Sequence, residues 1–513
     1  MIVKTFGSAI QGVHAITITI EVNVSSQGNK LFIVGLPDNA VKESERRIES
    51  TIQYLGYRMP RTRTVVNMAP ADIRKAGAAY DLPIAIGILC AAGYADATHC
   101  PRYVLMGELS LDGAVLPVKG ALPMAIQAWQ EGFTGFILPL QNAREAAMVK
   151  GLEIYGVSHI REVLQFLADP HSLSPVTVDI EAEFNQATSA TDLDFSDVKG
   201  QQSIKRALEI AAAGGHNAIL IGPPGAGKTM LAKRFPGILP PLTLAEALET
   251  TKIHSVAGKL SQHTSLITQR PFRSPHHTIS DAALVGGGSA PQPGEISLAH
   301  NGVLFLDELP EFRRKVLEVM RQPIEERKVT ISRAKNAIDF PAGFMLLAAM
   351  NPCPCGYFNH PEKNCTCASG QVQQYLNKVS GPLLDRIDLH VEVTPVSFTA
   401  LTDRSVPENS ACIRHRVAAA RDIQARRFAH LEGIYCNAQL HSQLLASIGN
   451  IHESCMALLK QAMERFRLSA RAYDRILKVS RTIADLAGSD YVTAEHMAEA
   501  IQYRSLDREG WSN

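Results

Sequence analysis

The sequence predicts an α/β multidomain protein: an α+β domain first, a parallel-sheet core second and an all-helical region last. Three observations carry this. Gly222-Pro223-Pro224-Gly225-Ala226-Gly227-Lys228-Thr229 follows the apolar run Ala218-Ile219-Leu220-Ile221 and precedes Met230-Leu231-Ala232-Lys233-Arg234. That is the strand, glycine loop and helix start of a phosphate-binding loop. Val303 to Leu306 and Phe344 to Met350 are unbroken apolar runs that end in polar residues, as strands buried on both faces of a parallel sheet do. Ile16, Ile18, Ile20, Val22 and Val24 alternate with polar residues, the mark of a half-buried strand far upstream of the loop.

The chain has 513 residues, 46% of them hydrophobic and 20% charged, which suits several domains with normal cores. The net charge of +1 confines any nucleic-acid contact to a local basic patch. The start, Met1 to Gly7, lacks the charged-then-apolar order of a secretory signal. The longest apolar run, Leu82 to Gly93, is too short to span a bilayer and reads as a buried helix. A soluble cytoplasmic protein with no membrane partner is expected. Nine cysteines in that compartment favour thiols or metal over disulfides.

Residues 1–170 read as the α+β domain. After the alternating strand, Val41 to Leu55 is a helix with Ile48 and Ile52 on one face. Thr64 to Asn67 is a short strand, and Asp81-Leu82-Pro83 opens the buried helix, with proline in its first turn. Tyr103 to Glu108 and Gly135 to Pro139 complete the pattern. Residues 171–197, rich in Ser, Thr, Asp and Glu, read as a linker. Ser203 to Ala213 is then a helix with Ile204, Leu208 and Ala211 on one face.

Residues 198–395 form the predicted nucleotide-binding core. The glycines let backbone N–H groups converge on phosphate oxygens. Lys228 reaches the β- and γ-phosphates of ATP, and the Thr229 hydroxyl ligates Mg²⁺. Ligands gather at the carboxyl ends of parallel strands, so Asp307 belongs to the Mg²⁺ shell and Glu308 polarises the attacking water. Asn351, at the end of another such strand, is placed to hydrogen-bond the γ-phosphate or that water. Arg386 lies between Asp385 and Asp388; it is a local salt-bridge partner or an arginine finger. Residues 396–513 are the helical region. Ser469 N-caps a helix with Tyr473, Ile476, Leu477 and Ile483 on its apolar face, and Arg471 in its first turn would complete the site. Asn409 to Ala429 is a long helix whose arginines are expected to form a solvated face. Thr493 caps a last helix through Gln502.

Cys353, Cys355, Cys365 and Cys367 form C-x-C, nine residues, C-x-C. Four such thiols suit a tetrahedral, structural Zn²⁺ with no position open for water; a redox pair is the alternative. Lys328 to Arg333 and Ile338 to Pro341 are two β-runs of a hairpin.

Two families are resembled. The order of N-terminal elements, with Lys75-Ala76-Gly77-Ala78-Ala79-Tyr80 and Gly113-Ala114-Val115-Leu116-Pro117-Val118-Lys119-Gly120, resembles the proteolytic domain of Lon proteases. Ala79 stands where that family places its serine, and Met124 is the nearest match to its lysine. Neither attacks a carbonyl nor moves a proton, which implies a Lon-like fold without protease chemistry. The remainder resembles AAA+ ATPases of the magnesium-chelatase and MCM-helicase clade, and most specifically the ComM/YifB group. Arg273-Ser274-Pro275-His276-His277, Gly294 to Gly302 leading into Asp307-Glu308, Asn351 to Gly356 and Pro382 to Leu389 carry that likeness. It implies adenine contact by Asp194 to Gln201, a homo-hexameric ring with Arg386 supplied in trans, and a DNA helicase driving branch migration in natural transformation. Single-stranded or branched DNA, read without regard to sequence, would be the partner, with recombination proteins beside it. Arg333 and Lys335 at the hairpin tip would then contact phosphates; Val285 to Gly294 is a second, uncharged candidate. The competing reading is a chelatase-like ATPase that remodels a protein partner.

Overall fold

The computed structural model describes residues 2–25, 30–186, 193–260, 264–288, 291–332, 337–368, 370–396, 407–431 and 433–504. Among them, two large sheets organise the chain.

The first sheet is built by β1 (Ile2–Gln11), β2 (His14–Val24), β3 (Leu31–Val34), β4 (Thr64–Ala69), β5 (Tyr103–Leu105), β6 (Gly135–Pro139) and β7 (Glu153–Val157). Its strand order is β3-β4-β2-β1-β5-β6-β7. The alternation read from Ile16 to Val24 is realised in β2, where Ile18, Ile20 and Val22 are buried. Helix α1 (Asn39–Tyr54) buries Ile48 and Ile52, and Asp38 caps it by accepting from the Val41 amide. Helix α2 (Asp81–Ala91) is buried along nearly its whole length, which explains its unbroken apolar sequence. Its first carboxylate, Asp81, is fully buried and paired with Arg47. Ala79 lies in the 3₁₀ turn just before α2. Met124 is buried within helix α3 (Ala121–Gln130).

The sequence-predicted linker is not a bare tether. It contains helix α4 (Ile180–Gln186), whose Ile180 joins Leu122, Met148, Leu242, Ala247 and Leu266 in a small core. That core ties α3 to helix α7 (Leu244–Val256) of the second unit, after α5 (Gln202–Gly214) and α6 (Lys228–Arg234). Composition hid this because α4 is acidic and contributes few apolar groups to the seam. Nearby, the Glu145 carboxylate accepts from the Leu122 amide and from the Ser255 hydroxyl.

The second sheet has the order β9-β10-β13-β8-β14, all parallel. Its members are β8 (Ala218–Ile221), β9 (Phe272–Arg273), β10 (Val303–Leu306), β13 (Met345–Met350) and β14 (Leu389–Glu392). Separate apolar clusters cover its two faces, so each central strand is apolar throughout rather than alternating. Between β10 and β13 in the sequence, β11 (Lys328–Ser332) and β12 (Ala337–Pro341) pair as the expected antiparallel hairpin, and its Phe340 is buried with Val13, Ile253 and Leu298. Arg333 and Lys335 lie outside the described residues.

Three helices frame the C-terminal region: α8 (Ser410–Arg427), α9 (Ala470–Leu486) and α10 (Ala494–Gln502). Ser469 caps α9 by accepting from the Ala472 amide. The arginines of α8 form the expected solvated face only in part: Arg416 and Arg426 are exposed, while Arg414, Arg421 and Arg427 are half-buried. Arg416 pairs with Glu209 and Glu408, Arg421 donates to the Ala212 carbonyl at 3.0 Å, and Arg427 pairs with Asp485 at 2.9 Å. Arg416 and Arg421 hold the helical region onto α5, and Arg427 ties α8 to α9.

His216 and His390 are fully buried where the second sheet meets this region. Burial pushes His390 well below its ordinary value and lowers His216 in the same direction. The unfolded chain therefore takes up protons that the folded chain refuses. Stability should fall as pH drops through about 6.5, with a slope approaching ~1.4 kcal/mol per pH unit for each histidine. Denaturation midpoints measured from about pH 7.5 to 5.5 should decline steadily; a flat profile would contradict buried neutral imidazoles.

Candidate functional site

The carboxyl ends of β8, β10 and β13 lie side by side, because Ile221 pairs with Met350 and Leu306 with Ala348. Everything the three strands carry just beyond those ends converges. From β8 comes the glycine loop, with Gly225 and Gly227 at φ of 79° and 85°, values that glycine reaches without a Cβ penalty. The loop runs into α6, whose first residue is Lys228.

Lys228 is buried, and its ammonium donates to the Gly222 and Pro223 carbonyls at 2.7 and 2.9 Å and to Asn351 Oδ1 at 3.1 Å. Burial lowers its pKa from the ordinary lysine value, while the Asp307 and Glu308 carboxylates oppose that shift. The Thr229 hydroxyl donates to Asp307 Oδ2 at 2.6 Å. A hydroxyl and a carboxylate this close are hard oxygen ligands of the kind Mg²⁺ takes. The Glu308 backbone has φ of 53°, an uncommon conformation for a residue with a side chain. It turns the carboxylate out of the strand line, and Glu308 Oε2 lies 3.6 Å from His277 Nδ1. Lys228, Thr229, Asp307, Glu308 and Asn351 are thus brought together as the sequence predicts.

A cavity of about 520 Å³ adjoins the loop. Gln201, Val198 and Lys199 line one side, and Gln201 Nε2 donates to the Ala226 carbonyl at 2.9 Å. The segment expected to touch the base is therefore at the cavity. A second cavity, of about 530 Å³, is lined by Glu308, Asn351, Pro354, Gln374 and Lys378.

Arg471 does not complete this site within its own chain. Its guanidinium bonds Asp385 at 2.9 Å. Asp385 and Arg386 lie just ahead of β14, whose first residue Leu389 pairs with Ala218 at the start of β8. Both arginines therefore sit at the amino edge of the sheet, away from the glycine loop. Nor does Arg386 pair with the neighbouring carboxylates. Asp388 is bonded to Arg475 at 3.1 Å, while Arg386 pairs with Glu325 at 2.8 Å and donates to the Pro382 carbonyl.

The four clustered cysteines do meet: their sulfurs all lie within 4.8 Å of one another. Closest are Cys353 and Cys355, at 3.3 Å. Tetrahedral Zn²⁺ with Zn–S of about 2.3 Å requires sulfurs roughly 3.8 Å apart, so the set fits. His360 is not part of it; its Nδ1 accepts from the Glu362 and Lys363 amides.

Sequence reading assigned no role to His277, although it lies in a motif already singled out. Nor did it find Tyr357, His360 and Lys363 on the cavity wall, which only the folding of the cysteine loop reveals.

Models of magnesium chelatase, subunit ChlI, match residues 194–401, of subunit ChlI of Mg-chelatase residues 20–142, and of the ChlI C-terminal region residues 407–504. The chain is 44% identical over 507 residues to Competence protein ComM of Haemophilus influenzae, covering 98% of this chain and 97% of the relative. It is 44% identical over 502 residues to YifB of Escherichia coli, covering 98% and 96%. A more distant likeness, 32% over 154 residues, relates 27% of the chain to 26% of Lon protease 2 of Bacillus subtilis. Among the described residues, no helix is long and apolar enough to cross a membrane.

Proposed function

Because the chain belongs to the ComM/YifB family of magnesium-chelatase-like AAA+ proteins, we propose that it is a hexameric, ATP-dependent DNA motor that promotes branch migration of incoming DNA in natural transformation. The observation that carries the ATPase half is the convergence of Lys228, Thr229, Asp307, Glu308 and Asn351 at three adjacent strand ends. Lys228 neutralises charge on the transferred phosphoryl group, and Asn351, bonded to Lys228, holds the ammonium in place. Glu308 orients the attacking water and takes its proton as ATP is cleaved to ADP and phosphate. Thr229 and Asp307 are the residues that would hold Mg²⁺, which would offset the charge of the phosphates.

The DNA half rests on the name of the competence relative and on the hairpin β11–β12. In the sequence that hairpin lies between β10, which ends just before Asp307, and β13, which ends just before Asn351. β13 thus joins the hairpin directly to Asn351 in the nucleotide site. Arg333 and Lys335, which lie between its two strands in the sequence, are the proposed phosphate contacts. Their binding would be independent of sequence and steeply salt-dependent. The cysteine quartet would hold one structural Zn²⁺.

The test is ATP turnover with and without single-stranded or forked DNA. Stimulation of several-fold is expected, lost in the Arg333→Ala, Lys335→Ala double variant while DNA-independent turnover remains. If DNA changes neither turnover nor gel mobility, the motor reading fails and a chelatase-like remodelling ATPase acting on a protein takes its place.

A further inference from the structure

The loop between the cysteine pairs is tied at its neck and pressed against the phosphate-binding loop. Cys355 and Cys365 lie 3.5 Å apart through their sulfurs, and Cys353 and Cys365 lie 3.8 Å apart. Residues 356–364 form the enclosed segment. Gly356, at φ of 84°, packs so closely on the phosphate-binding loop that an added Cβ would lie 2.5 Å from Pro224 Cδ. One residue further, the chain enters the cavity beside the glycine loop. Tyr357, His360, Glu362 and Lys363 all line it, facing Gln201 and Met230.

Their arrangement is internally braced. Tyr357 and His360 meet edge to face, with ring centroids 5.6 Å apart. The amides of Glu362 and Lys363 both donate to His360 Nδ1 at 3.0 Å. That turn folds Lys363 back, so that its ammonium sits 4.9 Å from the Tyr357 ring centre. Two aromatic rings and a cation on one wall, with the amide side chain of Gln201 opposite, suit a purine base and its ribose. The rings offer a stacking surface to the base, and the Lys363 ammonium is a donor for the ribose hydroxyls.

From this we infer that the cysteine-clipped loop is the adenosine-side wall of the nucleotide pocket, so that zinc and ATP bind with positive coupling. The inference rests on the reading that this pocket takes ATP. Its physical basis is the cost of ordering residues 356–364. Without the clip, those residues must be ordered when the nucleotide binds; with it, the ordering is already in place. Coupling of this kind is reciprocal, so ATP must raise zinc affinity by the same factor by which zinc raises ATP affinity.

The experiment uses the full-length protein, a fluorescent non-hydrolysable ATP analogue, and elemental analysis. Wild type should hold about one zinc per chain and bind the analogue. Tyr357→Ala and Lys363→Ala retain all four cysteines and should retain the zinc. The tyrosine variant should bind the analogue about 5-fold or more weakly, the scale of losing one aromatic stacking partner. Zinc removal by chelation should weaken binding, with circular dichroism confirming that the fold survives. In equilibrium competition against the chelator, saturating analogue should raise zinc affinity by a matching factor. Unchanged analogue affinity in both variants with zinc bound, equal affinity in zinc-free protein, or wild type purified without zinc would each overturn the inference and leave the ATP-site reading standing. Failure of zinc-loaded wild type to bind the analogue, with Lys228→Ala indistinguishable from it, would overturn both.

Discussion

Replacing Glu308 by glutamine should lower ATP turnover by about 10²- to 10⁴-fold while leaving nucleotide binding intact. The amide preserves shape and hydrogen bonding but accepts no proton from the attacking water. Glu308 is the carboxylate free for that role, because Asp307 is engaged by the Thr229 hydroxyl at 2.6 Å. The Glu308 side chain is 60% exposed, and its nearest ionisable neighbour is His277 at 3.6 Å. Lys228→Ala should behave differently, losing binding and turnover together, since the ammonium sits inside the glycine loop rather than beyond it. Turnover and analogue binding measured side by side separate the two. A Glu308→Gln protein that hydrolyses ATP at the wild-type rate would remove Glu308 from the mechanism.

The contrast between these residues and the arginines shows what the sequence makes legible. Asp307-Glu308 and Asn351 follow directly on apolar runs, and Lys228 and Thr229 follow one across a six-residue glycine loop. A run buried on both faces fixes where its strand ends, and the end of a parallel strand is where ligands bind. Local pattern is therefore enough. The arginines follow no such rule. Arg416 and Arg427 sit on a helix with a solvated-looking pattern, yet their partners, Glu209 and Asp485, lie far along the chain. Arg471 has the right helix and cap, but its direction depends on how the helical region docks, and Asp385 takes it. Periodicity within a helix carries no information about that docking. The helix inside the linker was hidden for a related reason: only Ile180 and Phe184 of α4 pack into the seam, too little apolar content to register as a helix face. The N-terminal sheet was legible in its strands and buried helix, but not in its pairing order, which joins β1 to β5 across more than 90 residues of intervening sequence.

Arg386→Ala should lower turnover by about 10³-fold or more, and the loss should be repaired by a neighbouring subunit. Leu389 pairs with Ala218 and Glu392 with Ile221, which places Arg386 before the amino end of β14 and the glycine loop after the carboxyl end of β8. Strand length alone separates them by roughly 10 Å, on opposite edges of one sheet. An arginine so placed serves no phosphate in its own chain. In a ring built from head-to-tail contacts, however, one edge of each subunit faces the opposite edge of the next. Arg386 is buried and held by the half-exposed Glu325 at 2.8 Å and by the Pro382 carbonyl, so the guanidinium must leave both partners to reach a neighbour's phosphate. Arg471, with a 57% exposed side chain, stands on the same edge. The decisive measurement mixes Arg386→Ala subunits with Glu308→Gln subunits. Each alone is inactive, the first lacking a finger to donate and the second lacking its own base. In an equal mixture about a quarter of interfaces pair an intact Glu308 with an intact neighbouring Arg386, and turnover should recover toward that fraction. Recovery absent from mixtures proven to co-assemble would mean that Arg386 stabilises its own chain through Glu325 and Pro382 and does not act across the interface.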